Sequence, residues 1–351
     1  MAARNPFKPT AGATPPLLIG REDILEEFED SILEGPGAPL RLMRFTGARG
    51  VGKTVMLTEV TRIARDHGWT VISETATPGF TTKIINQLRR LNGSQAEEVA
   101  DLQRELEPLL DRLEQDESGV LITIDEVQRH AIDDLREIST VYQHLVREGR
   151  EVALVFAGLP SAVSNLLSDE IVTFLRRATP VELEDVPLSA VSDALLQTIT
   201  EGGRTITEDA LRAATVATGG YPFMVQLVGY HIWRKATQDP ITEEAAAEGV
   251  SAAIRRLGAM VHATALADLS DIDRTYLVAM SRDDGPSRTA DVAERIGVDP
   301  KYASVYRARL IEARIIAPAQ RGEVDFALPY LREYLRDHAT NLVSRPLADD
   351  A

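Results

Sequence analysis

Residues 47–54 read Gly-Ala-Arg-Gly-Val-Gly-Lys-Thr, and this octet limits what the chain can fold into more than any other feature. It matches the spacing G-x-x-x-x-G-K-[ST], lies directly after the apolar run Leu40 to Thr46, and opens a helical pattern at Lys53. Small residues let the main chain wrap an anion closely. The N–H groups of Gly47, Ala48, Arg49, Gly50, Val51, Gly52, Lys53, Thr54 and Val55, with the helix N-terminus, then face phosphate oxygens. Lys53 supplies a point charge to the β and γ phosphates, and the Thr54 hydroxyl completes the shell of a Mg²⁺ ion. A plain glycine-rich turn is the alternative, and the strand–loop–helix setting argues against it.

A loop of this kind needs a second carboxylate site. The run Val120-Leu-Ile-Thr-Ile124-Asp125-Glu126 provides one, an apolar strand ending in two acids. Asp125 at the strand end is placed to hold the metal's water shell. Glu126, one residue further, can reach a water poised to attack phosphorus. Two acids capping the next helix are the bland reading.

From Leu40 to Gly158 the chain repeats short apolar strand, turn and helix, with strands expected at Leu40 to Thr46, Thr70 to Thr75, Val120 to Ile124 and Val152 to Ala157. This alternation predicts an α/β fold, a parallel sheet with helices on both faces. After Pro180 strands give way to successive helices with start signals at Ser189, Thr207 and Thr242, an all-α lid. Between the second and third strands, Ser94 to Glu117 reads as an acidic helix. Val99, Leu102, Leu106, Leu109 and Leu113 give it one apolar face, and Pro108 is expected to kink it. Packing on the parent domain is the simple reading, a partner coiled coil the other.

The last segment, Asp268 to His338, reads helix, helix, turn, helix, two short strands and a closing helix, the order of a winged helix-turn-helix. The resulting division is a disordered leader at 1–16, a P-loop domain at 17–185, a lid at 186–265, a winged helix at 266–340 and a tail at 341–351, each main domain with a core of its own.

Composition narrows the chemistry. The chain of 351 residues has no Cys, which excludes disulfide scaffolds, Cys-ligated metals and thiol nucleophiles and fits a cytoplasmic location. No apolar run approaches the length of a membrane span. His130, His144, His231 and His262 lack metal-ligand spacing, so no metal beyond Mg²⁺ is expected. The net charge of −16 would repel nucleic acid as a whole, so contact with DNA requires a local basic patch.

The octet and acid pair, with Leu18-Ile19-Gly20-Arg21-Glu22 upstream, resemble the AAA+ ATPases of the initiator, origin-recognition-like branch and the related signal-transduction (STAND) ATPases. The resemblance covers roughly residues 18 to 235. It implies a base pocket at Ile19, Gly20 and Arg21, and ATP as the nucleotide. Relatives place a polar sensor at the end of the strand here ending in Ala157, where this chain has Gly158-Leu159-Pro160, with Ser161 the nearest hydroxyl. Arg176 and Arg177 sit where relatives keep an arginine that reaches a neighbouring subunit's nucleotide, although two arginines at a helix end also offset the helix dipole. Gly219-Gly220-Tyr221-Pro222-Phe223 resembles the Gly-x-Pro element whose proline, here Pro222, rests against nucleotide. As a bare sequence it is a tight interhelical turn.

In the C-terminal helix pair, Ala303, Tyr306 and Leu310 share one helical face, while Lys301, Ser304 and Arg309 lie opposite, free to enter a groove. Lys301, Ser304, Arg307, Arg309 and, at the wing tip, Arg321 are the candidate DNA contacts. The whole segment nevertheless nets −2. The expected function is a Mg-dependent ATPase acting as a nucleotide-gated switch on double-stranded DNA, able to assemble with itself or a protein partner. The alternative is a non-hydrolysing ATP sensor or scaffold whose winged helix binds proteins.

Overall fold

The computed structural model describes residues 4–10, 12–93, 101–167, 170–267 and 269–342. Five strands, β1 (Leu42–Thr46), β2 (Thr70–Thr75), β3 (Val120–Asp125), β4 (Val152–Gly158) and β5 (Thr179–Glu182), form one sheet in the order β2-β3-β4-β1-β5. Every pairing is parallel. The period-2 alternation divides each strand between two layers. Ala153, Val155 and Ala157 of β4 face one cluster, while Val152, Leu154 and Phe156 face the other.

The first layer holds α1 (Glu22–Leu33) and α2 (Lys53–Asp66), through side chains such as Phe28 and Met56. The second holds α3 (Phe80–Asn92), α4 (Leu102–Leu113), α5 (Ile132–Arg147) and α6 (Pro160–Leu167). The acidic helix is therefore a packed element of the sheet domain. Leu102, Leu106, Leu109 and Leu110 of α4 are buried, and Pro108 lies inside the helix. The expected helix began at Ser94, but residues 94–100, Val99 among them, lie outside the described residues.

The lid comprises α7 (Leu188–Glu201), α8 (Glu208–Thr218), α9 (Pro222–Lys235) and α10 (Glu243–Leu257). Thr207 and Thr242 cap α8 and α10 as their sequence signals predict, each side chain accepting a backbone N–H. Ser189 does not start α7; the helix begins one residue earlier, after Pro187, whose ring fixes φ and removes a donor that a helix start does not need. The lid also has no core of its own. Its buried Met224, Leu227 and Trp233 belong to the cluster that fills the α1–α2 face of the sheet.

Residues 4–10, expected as disordered leader, are ordered against this lid. Phe7 is 3% exposed within the shared cluster, Asn5 Nδ2 donates to the Tyr230 carbonyl at 3.0 Å, and the Lys8 N–H donates to Gln226 Oε1 at 3.1 Å.

A π-helix, Gly258–His262, continues α10 into α11 (Ala263–Ala267). Then come α12 (Asp271–Met280), β6 (Ser287–Arg288), α13 (Thr289–Arg295), α14 (Pro300–Glu312), β7 (Ile316–Pro318), β8 (Glu323–Phe326) and α15 (Leu331–Leu342). The three strands make an antiparallel sheet in the order β6-β8-β7, and this region has a separate hydrophobic core. Polar links join it to both the sheet domain and the lid. Arg314 pairs with Glu182 of β5, and the Tyr330 hydroxyl donates to the Ala217 carbonyl of the lid at 2.8 Å.

His262 lies at the seam. It is 1% exposed, its Nε2–H donates to the Pro329 carbonyl at 2.9 Å, its ring meets Tyr334 edge-on, and its Nδ1 has no partner among the described residues. Burial pushes its pKa from 6.5 down to about 4, because a second N–H would be desolvated and unpaired. The unfolded chain therefore takes up this proton first. Stability is full above pH 6.5 and falls as pH drops from 6.5 towards 4. In urea unfolding between pH 7 and 5, wild type is expected to lose up to about 1.4 kcal/mol per pH unit more than His262→Gln. Parallel profiles for the two proteins would refute this.

Candidate functional site: a phosphate-binding cleft between sheet and lid

The cleft forms where β1 and β3 end. Thr46 closes β1, and the octet turns from there into α2, whose first residue is Lys53. Three glycines make the turn feasible. A Cβ on Gly47 would lie 2.5 Å from the Leu183 carbonyl oxygen, one on Gly50 (φ 77°) would overlap the Tyr221 hydroxyl, and Gly52 holds φ 100°. Around a Cβ placed on Gly52 there is open space to 4 Å, so the loop's main chain faces a gap that a ligand can fill.

Lys53 Nζ donates to the carbonyls of Gly47 at 2.9 Å and Ala48 at 2.7 Å, folding the side chain over its own loop. Burial lowers the pKa of this ammonium to about 8, with Arg49 adding to the effect and Asp125 and Glu126 opposing it. A cation held this way gains most from an anion brought beside it.

The Thr54 hydroxyl donates to Asp125 Oδ2 at 2.6 Å, and the Glu126 N–H donates to Asp125 Oδ1 at 2.8 Å. The motif on α2 and the strand-end acid pair, far apart in sequence, therefore meet. Among the described residues no three His, Asp or Glu side chains form a metal cluster. A cation at Thr54 and Asp125 would thus draw its other oxygens from water and phosphate, the habit of Mg²⁺, and this hard-oxygen pair fits it. Glu126 is exposed and adopts φ 54°, a left-handed conformation that costs a non-glycine residue roughly 1 kcal/mol or more. Its side chain lines the same cleft as Lys53, Thr54 and Asp125.

The cavity over this loop measures about 350 Å³, within the range of small-molecule sites. Its lining combines the polar groups of Arg49, Lys53, Thr54, Asp125 and Glu126 with apolar side chains of Leu18, Ile19, Pro222, Phe223 and Val261. Of the expected base-pocket residues, Ile19 and Arg21 line the cavity, and Gly20 makes the turn between them at φ 63°. The Arg21 guanidinium donates to the Glu184 carbonyl beside Asp185; burial lowers its pKa, while Asp185 and Glu184 oppose this. Pro222 lines the cavity as the first residue of α9.

Several residues here have roles that the sequence pattern does not assign. Tyr221, beside Pro222 in the interhelical turn, donates its hydroxyl to the Arg49 carbonyl at 2.5 Å and so ties the lid to the phosphate loop. Burial raises its pKa, helped by the nearby Asp185. Met260 and Val261 come from the π-helix and Thr264 from α11 directly after it; a π-helix is common at functional sites but invisible to a 3.6-residue period. The segment expected as leader contributes Lys8, Thr10, Gly12 and Ala13.

Other expected site residues lie elsewhere. Arg176 lines a second cleft with Arg44 and Arg314, and Arg177 stacks over the Phe174 ring, so neither faces the phosphate loop of its own chain. At the end of β4, a Cβ on Gly158 would stand 2.9 Å from the Val127 carbonyl oxygen, and Val127 N–H already bonds Ala157. The strand end is too close-packed there for a polar side chain.

In the C-terminal region Ala303, Tyr306 and Leu310 are buried as the helical wheel predicts. Arg309 is not free: it pairs with Asp273 Oδ2 at 3.0 Å, on the capping box of α12, and lies over the Tyr306 ring. Arg307 is half-buried with its Nε unpartnered among the described residues. Ser304 returns its hydroxyl to the Pro300 carbonyl, while Lys301 and Arg321 are exposed.

This arrangement defines a P-loop fold with its phosphate cleft roofed by a helical lid. Residues 41–167 match the AAA domain family, and residues 259–335 match a domain of unknown function. The chain is similar in structure to a Walker-type ATPase of Pyrococcus abyssi (TM-score 0.68, 13% identity, covering 91% of this chain and 96% of that one). It is similar too to the ORC2 protein of Aeropyrum pernix in ADPNP and ADP complexes (0.66, 16%, 95% and 97%) and to Cdc6p of Pyrobaculum aerophilum (0.51, 18%, 95% and 96%). No curated protein matches the chain. The fold is that of an origin-recognition-like AAA+ P-loop ATPase. No helix among the described residues is long and apolar enough to cross a membrane.

Proposed function

We propose that this protein binds MgATP in the cleft and hydrolyses it to ADP and phosphate, using the cycle as a switch that sets the lid and the C-terminal region. The observation that carries this reading is the 2.6 Å contact of Thr54 with Asp125, in a cavity that Lys53 and Glu126 also line. Mg²⁺, held by Thr54 and Asp125, would supply charge neutralisation at the phosphates. Lys53 and the loop N–H groups bind and orient the triphosphate. Glu126 accepts the proton of the attacking water, and the lid residues Pro222 and Phe223 exclude bulk solvent. Arg176 and Arg177, turned from their own cleft, are assigned to a neighbouring copy's nucleotide in a homo-oligomer. The working domains follow the division at 17–185, 186–265 and 266–340, in a cytoplasmic protein.

The output is duplex DNA, approached by α14 and the β7–β8 turn as a winged helix. Lys301, Ser304 and Arg321 make the outward contacts, while Arg307 and Arg309 support them. A gel shift with duplex DNA at low and high salt, with and without ATP, tests this. Binding is expected at low salt and weakens steeply as salt rises, and Lys301→Ala with Arg321→Ala lowers the salt slope by about 2. No shift at low salt in either nucleotide state would remove DNA from the account.

A second reading, an ATP sensor that holds a protein partner and scarcely hydrolyses, is favoured by two observations. Gly158 leaves no room for a polar sensor, and the outer face of α14 exposes Tyr302 and Val305, each about half accessible, beside few free basic groups.

A further inference from the structure

The segment before α1 lies across the cleft between two anchors. At one end Phe7 is buried on α9, where the Cβ of any residue replacing Gly229 would overlap its ring. Asn5 and Lys8 bond the same helix at Tyr230 and Gln226. At the other end Gly12 approaches Thr54, its Cβ position 3.7 Å from the Thr54 methyl, and residues 17–19 join the apolar wall. Lys8, Thr10, Gly12, Ala13 and Pro15 line the cavity between these ends. Among the described residues the Thr10 N–H donates to the Lys8 carbonyl and the Ala13 N–H to the Thr10 carbonyl, local bonds that hold the crossing.

We propose that residues 4–10 and 12–19 form a strap that closes the nucleotide site, and that Phe7 is its buckle, a positioning residue that sets how fast nucleotide enters and leaves. The inference rests on the nucleotide-binding reading above and adds its kinetic control. A ligand seated on the loop at Thr54 lies beneath the strap, so its departure requires the strap to lift. The strap's apolar hold on the lid is concentrated in Phe7. Gly229 is the complement of that ring: glycine weakens a helix interior, and here the missing side chain makes the notch. The strap also offers Lys8, whose ammonium has no ion pair among the described residues, to the rim of a cavity built for a polyanion.

The experiment is stopped-flow release of mant-ADP from the full chain, chased with unlabelled ATP, for wild type, Phe7→Ala, Phe7→Leu and Gly229→Ala. Phe7→Ala empties the notch, and Gly229→Ala fills it with a methyl group that evicts the ring. Both are expected to speed release at least about tenfold, with association no slower. Phe7→Leu, which keeps an apolar buckle, is expected to recover most of the wild-type rate. Alanine is the better helix former, so Gly229→Ala carries the test should Phe7→Ala fail to fold. Release within twofold of wild type in folded Gly229→Ala overturns the strap while leaving nucleotide binding intact. Absence of mant-ADP binding by wild type overturns the nucleotide reading and the strap together.

Discussion

Glu126→Gln is expected to retain MgATP and lose its turnover. The side chain is exposed, and its residue's one hydrogen bond to the site runs from its own N–H to Asp125, so the amide variant leaves Lys53, Thr54 and Asp125 where they are. What it removes is an acceptor for a water's proton, and a positioned general base contributes about 10²–10⁴-fold. Phosphate release should fall by that factor, while the Kd for a fluorescent ATP analogue stays within about threefold. Glutamine is nearly isosteric and the φ of 54° is a backbone property, so a general distortion is not the expected route of loss. A turnover within tenfold of wild type would show that Glu126 is not the base and would move the balance to the sensor reading.

Lys53→Ala is expected to abolish tight nucleotide binding altogether. Its Nζ lies over the loop and holds the carbonyls of Gly47 and Ala48 with two hydrogen bonds. The variant removes the charge that meets the phosphates. Charge-assisted hydrogen bonds are worth about 1.5–3 kcal/mol each, so losing two made to phosphate oxygens weakens binding by on the order of 100-fold or more. Isothermal titration with MgATP reads this directly. An affinity within tenfold of wild type would mean that the octet is a structural turn. The two variants separate the reading into halves, since one blocks chemistry with nucleotide in place and the other keeps nucleotide out.

The sheet was legible because its strands are short runs rich in apolar and β-branched residues with helical patterns between them. The Thr70 strand matches in both limits, and the Leu40 strand loses only Leu40 and Arg41 to a single tight turn. The phosphate loop was legible for a different reason: its chemistry demands particular residues at particular spacings within one short segment. Burial of the α4 leucines followed from their three-and-four spacing.

What escaped was chemistry assembled from distant or unpatterned residues. Phe7 stands alone among prolines and polar residues, a texture that reads as disorder, and its partner is a missing side chain at Gly229. Arg309 was assigned to the free face of α14 on angle alone, but Asp273, brought alongside by packing of α12, holds it. The shared core of sheet and lid was hidden because amphipathic helices announce that a face is buried, never against what.

The bond from Tyr221 to Arg49 has a mechanical meaning. Any ligand that reshapes the loop must carry the first turn of α9 with it or break that bond. On the switch reading proposed above, whatever fixes the lid in one orientation would then alter affinity in the cleft by the same factor as nucleotide biases that orientation. A cargo bound far from the phosphates would be felt there as a change in how tightly they are held.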